Sequence, residues 1–476
     1  MEILFLSLSI TFLCYALFCL YNLIHQIRGQ SCYLLAYECF KPPEDTKLDR
    51  DTCVRIIRRN KNLGLQEYKF LLKAMAKSGI GEHTYAPRSV IEGREECATI
   101  EDSLKEVDEI MFETLDRIFK RTGFSPVEID ILVVNITVFS SVSSFAARII
   151  NRYKLREDIK VFNLSGTGCS GSIVAIDLVH RLLKTMHKNC LAVVVSTECL
   201  SQSWYCGKVT SMMLSNCLFR SGGGCLLLTN NPSLKPNAIL RLKHVERTHL
   251  GASDEAYGCA MMVEDEQGHQ GIYLKKSVPK AASEALKVNL KIMVPKILPL
   301  WEIVCYFTVS IYHSTMKRGI AANSSNHNKG LNFKSGIEHF CVHPGGRAVI
   351  DEISKGLGLN DYDIEPSRMT IHRWGNTSSS GVWYVLGYME AKKRLKKGDR
   401  VLMIGLGSGF KCCSCVWEVM RDLEGNVGNN VWMDCIDNYP PNKLGTIFVE
   451  SFSWLIDTPL DNFVNDDQIL ASIKSG

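Results

Sequence analysis

Hydrophobic and polar residues divide the chain into an apolar N-terminal segment and a long mixed region. Residues 3–23, ILFLSLSITFLCYALFCLYNL, contain no charged residue, and such a run is long enough to cross a bilayer. A cleaved signal peptide is the alternative, but the start Met1-Glu2 and the flank YNLIHQIRG lack its basic region and its small-residue cleavage site. The pattern therefore predicts an uncleaved membrane anchor.

Basic residues follow the apolar run and predict the orientation of the chain. Positive charge tends to stay on the cytosolic side, so we expect the bulk of the protein to face the cytosol. The residues concerned are Arg28, Lys41, Lys47, Arg50, Arg55, Arg58, Arg59 and Lys61. We predict an anchor (1–28), a juxtamembrane connector (29–65), an N-terminal half (66–235), a C-terminal half (236–460) and a tail (461–476).

Apolar periodicity predicts alternating helices and strands in the N-terminal half. A helical pattern covers residues 100–122, and a shorter one, FAARIINRY, covers 145–153. Short apolar runs typical of buried strands lie at 131–138 and 191–197, and KVFNL at 160–164 is a further strand candidate. Strands that alternate with helices favour an α/β fold with a parallel sheet covered on both faces.

The C-terminal half repeats this order. HFCVH (339–343) is a predicted strand, GNTSSSG (375–381) opens a helix, and VLMIGLGSG (401–409) is a further strand. The series SGTGCSG, helix and LAVVVST matches GNTSSSG, helix and VLMIGLGSG, which indicates an internal duplication of one α/β unit.

One more apolar run, Ile297–Tyr312, is short for a membrane span and contains Pro299 and Glu302. A buried helix, a helix at the membrane surface and a helix that lines an acyl tunnel are all compatible with it. The polar stretch 314–335 that follows is predicted to be a long surface loop.

Length and composition predict a large folded protein with a sizeable hydrophobic core. Its 476 residues suggest two or three domains or one large pseudo-symmetric domain, and 46% are hydrophobic. A net charge of +5 without a Lys/Arg block gives no support to nucleic-acid binding. The 19 cysteines lack the spacing of a disulfide framework and indicate a reducing compartment. Cys412 and Cys415 have no second pair, so no zinc site is expected.

The stretch VFNLSGTGCSGS (161–172) has two interpretations. Gly166, Gly168 and Gly171 match the dinucleotide fingerprint, but that motif alone is weak, and the only candidate ribose-binding acid, Glu198, follows Gly171 by 27 residues. Alternatively, a strand-to-helix turn presents Cys169 as a nucleophile whose pKa the helix dipole lowers. A third possibility is that Cys169 is simply a packed small residue.

Two polar residues in the C-terminal half favour the nucleophile. His343 ends the predicted strand HFCVH and is followed by a Pro-Gly-Gly turn, whereas an isolated histidine would more often be a core residue. His339 lies four positions earlier, but on a strand and without an H-E-x-x-H motif, so no metal site is predicted. Asn376 occupies the position equivalent to the Gly-Cys turn, where a helix N-cap is the alternative role.

Several segments together resemble one enzyme family, the plant 3-ketoacyl-CoA synthases, which are membrane-bound condensing enzymes of very-long-chain fatty acid elongation. In order along the chain they are NLSGTGCSGS, SNCLFRSGGG, RTHLGASDEAYGC, FCVHPGGRAVIDE, HRWGNTSSSGVWY and GLGSGFKCCSCVW. The resemblance runs from about Cys39 to Asp437 and extends more distantly to chalcone-synthase-type enzymes. It implies a thiolase-like five-layer αβαβα fold of two duplicated halves, preceded by a transmembrane helix.

The resemblance assigns roles to individual residues. It implies that Cys169 is the nucleophile and that His343 and Asn376 hydrogen-bond the thioester oxygen of the malonyl group, where negative charge develops. Supporting roles fall on His249, His339 and His372. Backbone groups near Gly168 and in the loop formed by Gly407, Gly409 and Phe410 are the implied donors to the acyl oxyanion.

The implied reaction is the decarboxylative condensation of malonyl-CoA with a long-chain or very-long-chain acyl-CoA, giving a 3-oxoacyl-CoA two carbons longer. No cofactor or metal is implied, because the CoA thioesters are substrates. The resemblance also implies a homodimer in the endoplasmic reticulum membrane that works with a ketoacyl-CoA reductase, a dehydratase and an enoyl-CoA reductase. A polyketide-type synthase and a non-catalytic acyl-CoA-binding subunit are the alternatives.

The chain departs from the family pattern near the predicted site. Thr167 and Gly171 replace the usual Met and Ala of the Gly-Cys turn, Pro344 follows His343, and Cys413 replaces a usual Asn. Trp374 likewise replaces a usual Phe. The departures at Thr167, Gly171 and Cys413 keep the non-catalytic alternative open, although Cys169, His343 and Asn376 are all present.

Overall fold

The fold was analysed in a computed structural model, which describes residues 31–186, 188–316, 331–424 and 430–441, together with Phe12, Tyr15 and residues 17–19. The strands are β1 Tyr33–Cys39, β2 Ile131–Asn135, β3 Lys160–Leu164, β4 Leu191–Thr197, β5 Gly223–Thr229, β6 Leu240–His249, β7 Ala260–Glu264, β8 Gln270–Leu274, β9 His339–Val342, β10 Arg400–Gly407 and β11 Lys411–Val419. The helices are α1 Arg50–Arg59, α2 Leu65–Ser78, α3 Arg88–Ile91, α4 Ile100–Thr122, α5 Phe145–Tyr153, α6 Gly171–Thr185, α7 Thr210–Leu218, α8 Asp254–Tyr257, α9 Val278–Ile297, α10 Leu300–Met316, α11 Arg347–Leu357, α12 Asp361–Trp374 and α13 Gly381–Ala391.

Nine of the described strands form one sheet in the order β3-β2-β4-β5-β1-β6-β11-β10-β9. Its two halves join where β1 pairs with β6, through Tyr33 with Arg241 and Leu34 with Leu240. The pairs β2–β3, β2–β4 and β9–β10 are parallel, whereas the other pairs in the sheet are antiparallel. The prediction of a parallel sheet is therefore correct only for the outer strands, and the fold is mixed.

Local sequence signals set the bounds of the elements that were predicted well. Helix α4 begins after Thr99, whose hydroxyl accepts a hydrogen bond from the Asp102 backbone N–H, and ends before Gly123 in the left-handed conformation. The predicted helices at 100–122 and 145–153 and the strands at 160–164 and 191–197 are confirmed.

The predicted connector contains a central strand of the sheet. All seven residues of β1 are buried, and β1 pairs with β5 on one side and with β6 on the other. The boundary predicted at residue 65 therefore does not separate a connector from the folded body. Because β1 has antiparallel partners far along the chain, its role depends on contacts that the local pattern does not reveal.

The two duplicated units are visible as equivalent structures. A short 3-10 turn, Gly168–Ser170, leads into α6 and then β4, and a second turn, Ser378–Ser380, leads into α13 and then β10. Every residue of α13 is buried, as expected for a helix that is apolar on all sides. A hydrogen bond of 2.7 Å from the Trp383 indole to the Ser172 hydroxyl joins the two helices.

Only some of the predicted membrane contacts lie within the described residues. In the parts of the chain that the structure describes, no helix is both long and apolar enough to cross a membrane. Most of the predicted anchor (1–28), including most of its apolar run 3–23, lies outside the described residues. The second apolar run forms α10, on which Trp301, Val304 and Phe307 are exposed. The interpretation of this run as a buried helix is therefore wrong. The predicted surface loop 314–335 falls largely outside the described residues.

Candidate active site

The Gly-Cys turn packs tightly against the end of β10. Gly168 has a positive φ of 62°, and a side chain there would come within 2.5 Å of the Ser408 backbone nitrogen. The carbonyl oxygens of Gly166 and Thr167 accept hydrogen bonds from the Lys411 ammonium, at 3.4 and 3.3 Å. A phosphate-binding loop needs N–H groups directed at its ligand, so this geometry disfavours the dinucleotide interpretation.

The second turn holds Asn376 in a defined position. The backbone of Asn376 accepts a hydrogen bond from Arg220 N and donates one to the Leu218 carbonyl, both at 3.0 Å. Its side-chain oxygen accepts from the Ser378 backbone N–H at 2.9 Å, which leaves the amide NH₂ as the free donor group. That NH₂ lies 3.4 Å from the Gly345 carbonyl, a long contact that a substrate oxygen can replace.

The two turns meet at the Cys169 thiol. Ser378 Oγ lies 3.6 Å from Cys169 Sγ, and the Asn376 side chain lies close enough to the thiol to lower its pKa. The Cys169 side chain is partly exposed, in contrast to the buried cysteines of the sheet. The duplication therefore places Cys169, the predicted nucleophile, from one half beside hydrogen-bond donors from the other.

His343 lies at the end of β9 and is held by its backbone. Its N–H donates to the Ile404 carbonyl at 2.9 Å, its carbonyl accepts from Gly345 N at 2.8 Å, and its ring lies beside Gly381 at the start of α13. The residue is 2% exposed, and neither ring nitrogen has a hydrogen-bond partner among the described residues. Buried polar atoms are normally paired, so an unpaired imidazole beside Asn376's turn is ready to bind a substrate group.

Burial controls the protonation of both groups. Loss of solvent lowers the pKa of His343 to about 3, so the ring is neutral at physiological pH and its N–H acts as a donor. Burial also raises the pKa of Cys169 to about 11, against the lowering effect of the Ser378 hydrogen bond, and the negative charge of Glu198 adds to this rise. The net pKa of the Cys169 thiol is therefore raised, not lowered as its place before α6 predicted, because burial and the charge of Glu198 dominate.

Glu198 is a residue whose place in the site the sequence did not reveal. Its carboxyl group follows β4, accepts hydrogen bonds from the backbone N–H groups of Val138 at 2.8 Å and Thr137 at 3.1 Å, and lies 3.3 Å from Ser378 Oγ. Burial raises its pKa to about 7. The available signal was an acidic residue directly after a buried strand, and in the sequence this residue suggested only a ribose-binding group.

The three supporting histidines do not gather around Cys169. His339 begins β9, at the opposite end from His343, and its Nε2 lies 2.8 Å from Asp399. His372 contacts the Tyr439 hydroxyl at 3.1 Å. His249 is the nearest to the site, because it pairs with Lys411 in the sheet and accepts from Gly251 N beside the 407–410 loop.

The 407–410 loop has two different parts. Gly407 and Ser408 contact the Gly-Cys turn, as the roles implied for this loop require. Phe410 is 4% exposed and belongs to the core, and Gly409 lies near His249 and Lys411. The first part of the loop is thus the part that borders Cys169.

Two departures in the Gly-Cys turn are explained by one neighbour, Asn135. The Thr167 hydroxyl donates to the Asn135 amide oxygen at 2.5 Å, and the Asn135 amide donates to Ser379 Oγ at 2.8 Å. A side chain at Gly171 would come within 2.2 Å of that same amide oxygen. Thr167, Gly171 and Asn135 therefore form one packing unit that joins both turns, so the two departures are not independent of each other.

Replacing Gly171 with Ala should destabilise the protein through Asn135. We expect the free energy of unfolding to fall by about 1–3 kcal/mol, because a methyl group enters space that Asn135 fills. Thermal denaturation measures the change, with Gly356→Ala as the matched helical control, since nothing lies within 4 Å of the added atom there. In an Asn135→Ala background the Gly171→Ala cost should vanish; an undiminished cost would contradict the packing explanation.

The remaining departures occupy structural positions. The Pro344 ring packs against Gly381 at the start of α13, and Cys413 is buried in β11, where its thiol hydrogen-bonds Ser170. Trp374 is buried among Tyr85, Tyr384 and Trp432. None of these side chains separates Cys169 from Ser378 or Asn376.

Comparison with known proteins places the chain in a family. A family model described as "FAE1/Type III polyketide synthase-like protein" matches residues 24–315, and "3-Oxoacyl-[acyl-carrier-protein (ACP)] synthase III C terminal" matches residues 329–419. The chain is 51% identical to 3-ketoacyl-CoA synthase 19 of Arabidopsis thaliana, covering 94% of the chain and 96% of that protein. It belongs to the 3-ketoacyl-CoA synthase family. 3-Ketoacyl-CoA synthase 12 of the same plant is 50% identical, covering 99% of the chain and all of that relative.

Solved structures support the fold assigned to this 3-ketoacyl-CoA synthase family member. The crystal structure of CsyB complexed with CoA-SH has a TM-score of 0.62 at 18% identity, covering 82% of the chain and all of CsyB. The structure of a CsyB mutant gives the same TM-score at 19% identity, with the same coverage of both chains. The fold is therefore mixed α/β and thiolase-like, while the roles of Cys169, His343 and Asn376 remain predictions.

Proposed function

We propose that the chain catalyses the decarboxylative condensation of malonyl-CoA with a long-chain or very-long-chain acyl-CoA. The observation that carries this proposal is the meeting of the two duplicated turns, which brings the Cys169 thiol to the side chains of Ser378 and Asn376. Membership of the 3-ketoacyl-CoA synthase family supports the choice of substrates.

In the first half-reaction, Cys169 becomes acylated. The thiol loses its proton, its sulfur attacks the carbonyl carbon of the acyl-CoA, and the CoA sulfur leaves and takes up one proton. Backbone N–H groups near the Gly-Cys turn stabilise the oxyanion that forms during this attack. The products are an acyl-Cys169 thioester and free CoA.

In the second half-reaction, malonyl-CoA loses CO₂. The electrons of the broken C–C bond form an enolate, whose negative charge lies on the thioester oxygen. The neutral His343 ring and the Asn376 NH₂ group each donate a hydrogen bond to that oxygen, and burial strengthens both bonds. The enolate carbon then attacks the acyl-Cys169 carbonyl, releases the Cys169 sulfur, and gives the 3-oxoacyl-CoA.

The same proposal covers the finer architecture and the cellular setting. We place the strands and helices in five αβαβα layers, with an N-terminal membrane anchor in the endoplasmic reticulum and the catalytic body in the cytosol. The chain would act as a homodimer with a ketoacyl-CoA reductase, a dehydratase and an enoyl-CoA reductase, and it would use CoA thioesters without a cofactor. The exposed aromatic side chains Trp301 and Phe307 are compatible with a further contact at the membrane surface.

Expression in an elongase-deficient yeast strain tests the proposed function. We expect fatty-acid profiling to show longer acyl chains with the wild-type chain and not with a Cys169→Ala variant. Polyketide products would instead support a polyketide-type synthase. Acyl-CoA binding without chain elongation or Cys169 acylation would support the non-catalytic alternative.

A further inference from the structure

A buried carboxyl group lies one hydroxyl group away from the predicted nucleophile. Ser378 Oγ is 3.6 Å from Cys169 Sγ and 3.3 Å from Glu198 Oε2. Glu198 is 6% exposed and Ser378 is 3% exposed, so both are largely shielded from solvent. The three side chains come from both duplicated halves and form a continuous path from sulfur to carboxylate.

The neutral Ser378 hydroxyl group carries only one proton. Proton transfer along this path therefore runs from Cys169 through Ser378 to Glu198. If Ser378 donates its proton to an ionised Glu198, its oxygen lone pair is free to accept the S–H proton of Cys169. The backbone N–H groups of Thr137 and Val138 hold the carboxylate in place from its other side. The carboxylate is therefore oriented towards Ser378 before any substrate binds.

Other groups near the thiol are poorer proton acceptors. Burial lowers the pKa of His343 to about 3, whereas the pKa of Glu198 is raised to about 7, so the carboxylate holds a proton more strongly than the ring. Lys411 faces the carbonyl oxygens of the turn as a donor. Glu106 lies beyond Cys199 and accepts the backbone N–H groups of Leu200 and Ser201.

We propose that Glu198 is a positioning residue that accepts the Cys169 proton through Ser378 as the sulfur attacks the acyl-CoA. The S–H proton moves to Ser378 Oγ while the Ser378 O–H proton moves to the carboxylate. The new S–C bond forms, the bond between the acyl carbon and the CoA sulfur breaks, and the proton returns along the same path to that sulfur. This inference rests on the proposed function, because it assumes that Cys169 is the acylated residue.

Alkylation of Cys169 by iodoacetamide tests the path without any acyl-CoA. The full-length protein is labelled between about pH 6 and about pH 9, and the rate at each cysteine is read by peptide mass spectrometry. In the wild type we expect the Cys169 rate to rise as the pH passes 7, when Glu198 ionises. Glu198→Gln should remove the additional rise near neutral pH, leave only the steady increase of the thiolate fraction below the thiol pKa, and slow alkylation above neutral pH by about tenfold or more. Ser378→Ala should do the same, and Glu198→Asp should restore part of the rise.

Matched controls separate this role from a structural one. Glu106→Gln alters another buried carboxyl group with backbone N–H partners and should leave the Cys169 profile unchanged. The buried Cys341 and Cys415 report within each sample whether the fold is intact, because they should stay unlabelled in the folded protein, while the exposed Cys97 and Cys305 show that the reagent is active. If Glu198→Gln does not fold, the pH profile of Cys169 alkylation in Ser378→Ala tests the proton path instead.

Faster alkylation in Glu198→Gln at all pH values would overturn the inference, because it would show that the carboxylate only repels the thiolate. An unchanged inflection near neutral pH would overturn it as well. A normal alkylation profile in a protein that never condenses malonyl-CoA would instead contradict the proposed function and leave the proton path standing.

Discussion

Replacing Cys169 with Ala is expected to abolish condensation. The loss should be on the order of 10⁴-fold or more, because no other group in the site can hold the acyl chain as a thioester. Microsomes containing the variant are supplied with a long-chain acyl-CoA and labelled malonyl-CoA, and 3-oxoacyl-CoA is measured by mass spectrometry. Condensation at the wild-type rate would show that Cys169 is not the nucleophile.

Cys413→Ala is the matched control for this experiment. Its thiol also contacts the Gly-Cys turn, through Ser170, but it is buried in β11 and has no exposed side. We expect this variant to retain most of its activity. Equal losses in both variants would indicate that any disturbance of the turn is sufficient and would weaken the assignment of the nucleophile.

Replacing His343 with Phe should separate the two half-reactions. The side chain remains a planar aromatic ring but loses its N–H donor, so the charge that develops on the malonyl oxygen loses one of two hydrogen bonds. We expect condensation to fall by about 10²–10³-fold. Acylation of Cys169 should persist, because the His343 ring is neutral and has no hydrogen bond to the thiol in the described structure. Single-turnover acylation and steady-state condensation are measured on the same protein.

His339→Phe provides the control on the same strand. His339 lies at the other end of β9 and contacts Asp399, so its loss should leave both half-reactions close to wild type. If His343→Phe also abolished acyl-Cys169 formation, the histidine would be needed to activate the thiol, and its assignment as an enolate-binding donor alone would be wrong.

Local patterns predicted the elements whose limits are set by neighbouring residues. Helix α4 has its cap at Thr99 and its end at Gly123, and both signals lie within the helix's own sequence. Strands β3 and β4 are short apolar runs with clear breaks on either side. The predicted limits of these elements are therefore the limits that the structure shows.

Long-range pairing accounts for the elements that were missed. Strand β1 lies in a segment that reads as a connector because it follows the apolar N-terminal run. Its place in the centre of the sheet depends on β5, which begins at Gly223, and on β6, which begins at Leu240. No local signal in residues 33–39 identifies partners so far away.

The same difference between local signals and long-range contacts applies to the candidate site. The resemblance located Cys169, His343 and Asn376, and the structure brings their turns together. The raised pKa of Cys169 could not be predicted from its place before α6, because it depends on burial and on Glu198, which comes from the end of another strand. The contacts of Asn135 could likewise not be predicted from the sequence, although they explain both Thr167 and Gly171.

Detection of the acyl intermediate tests the central claim most directly. The purified full-length protein is incubated with a panel of long-chain and very-long-chain acyl-CoAs, digested, and the peptide that carries Cys169 is weighed by mass spectrometry. The account predicts an acyl thioester on Cys169 that disappears when malonyl-CoA is added, with release of a 3-oxoacyl-CoA two carbons longer. An unmodified Cys169 in a preparation that still forms 3-oxoacyl-CoA would contradict it.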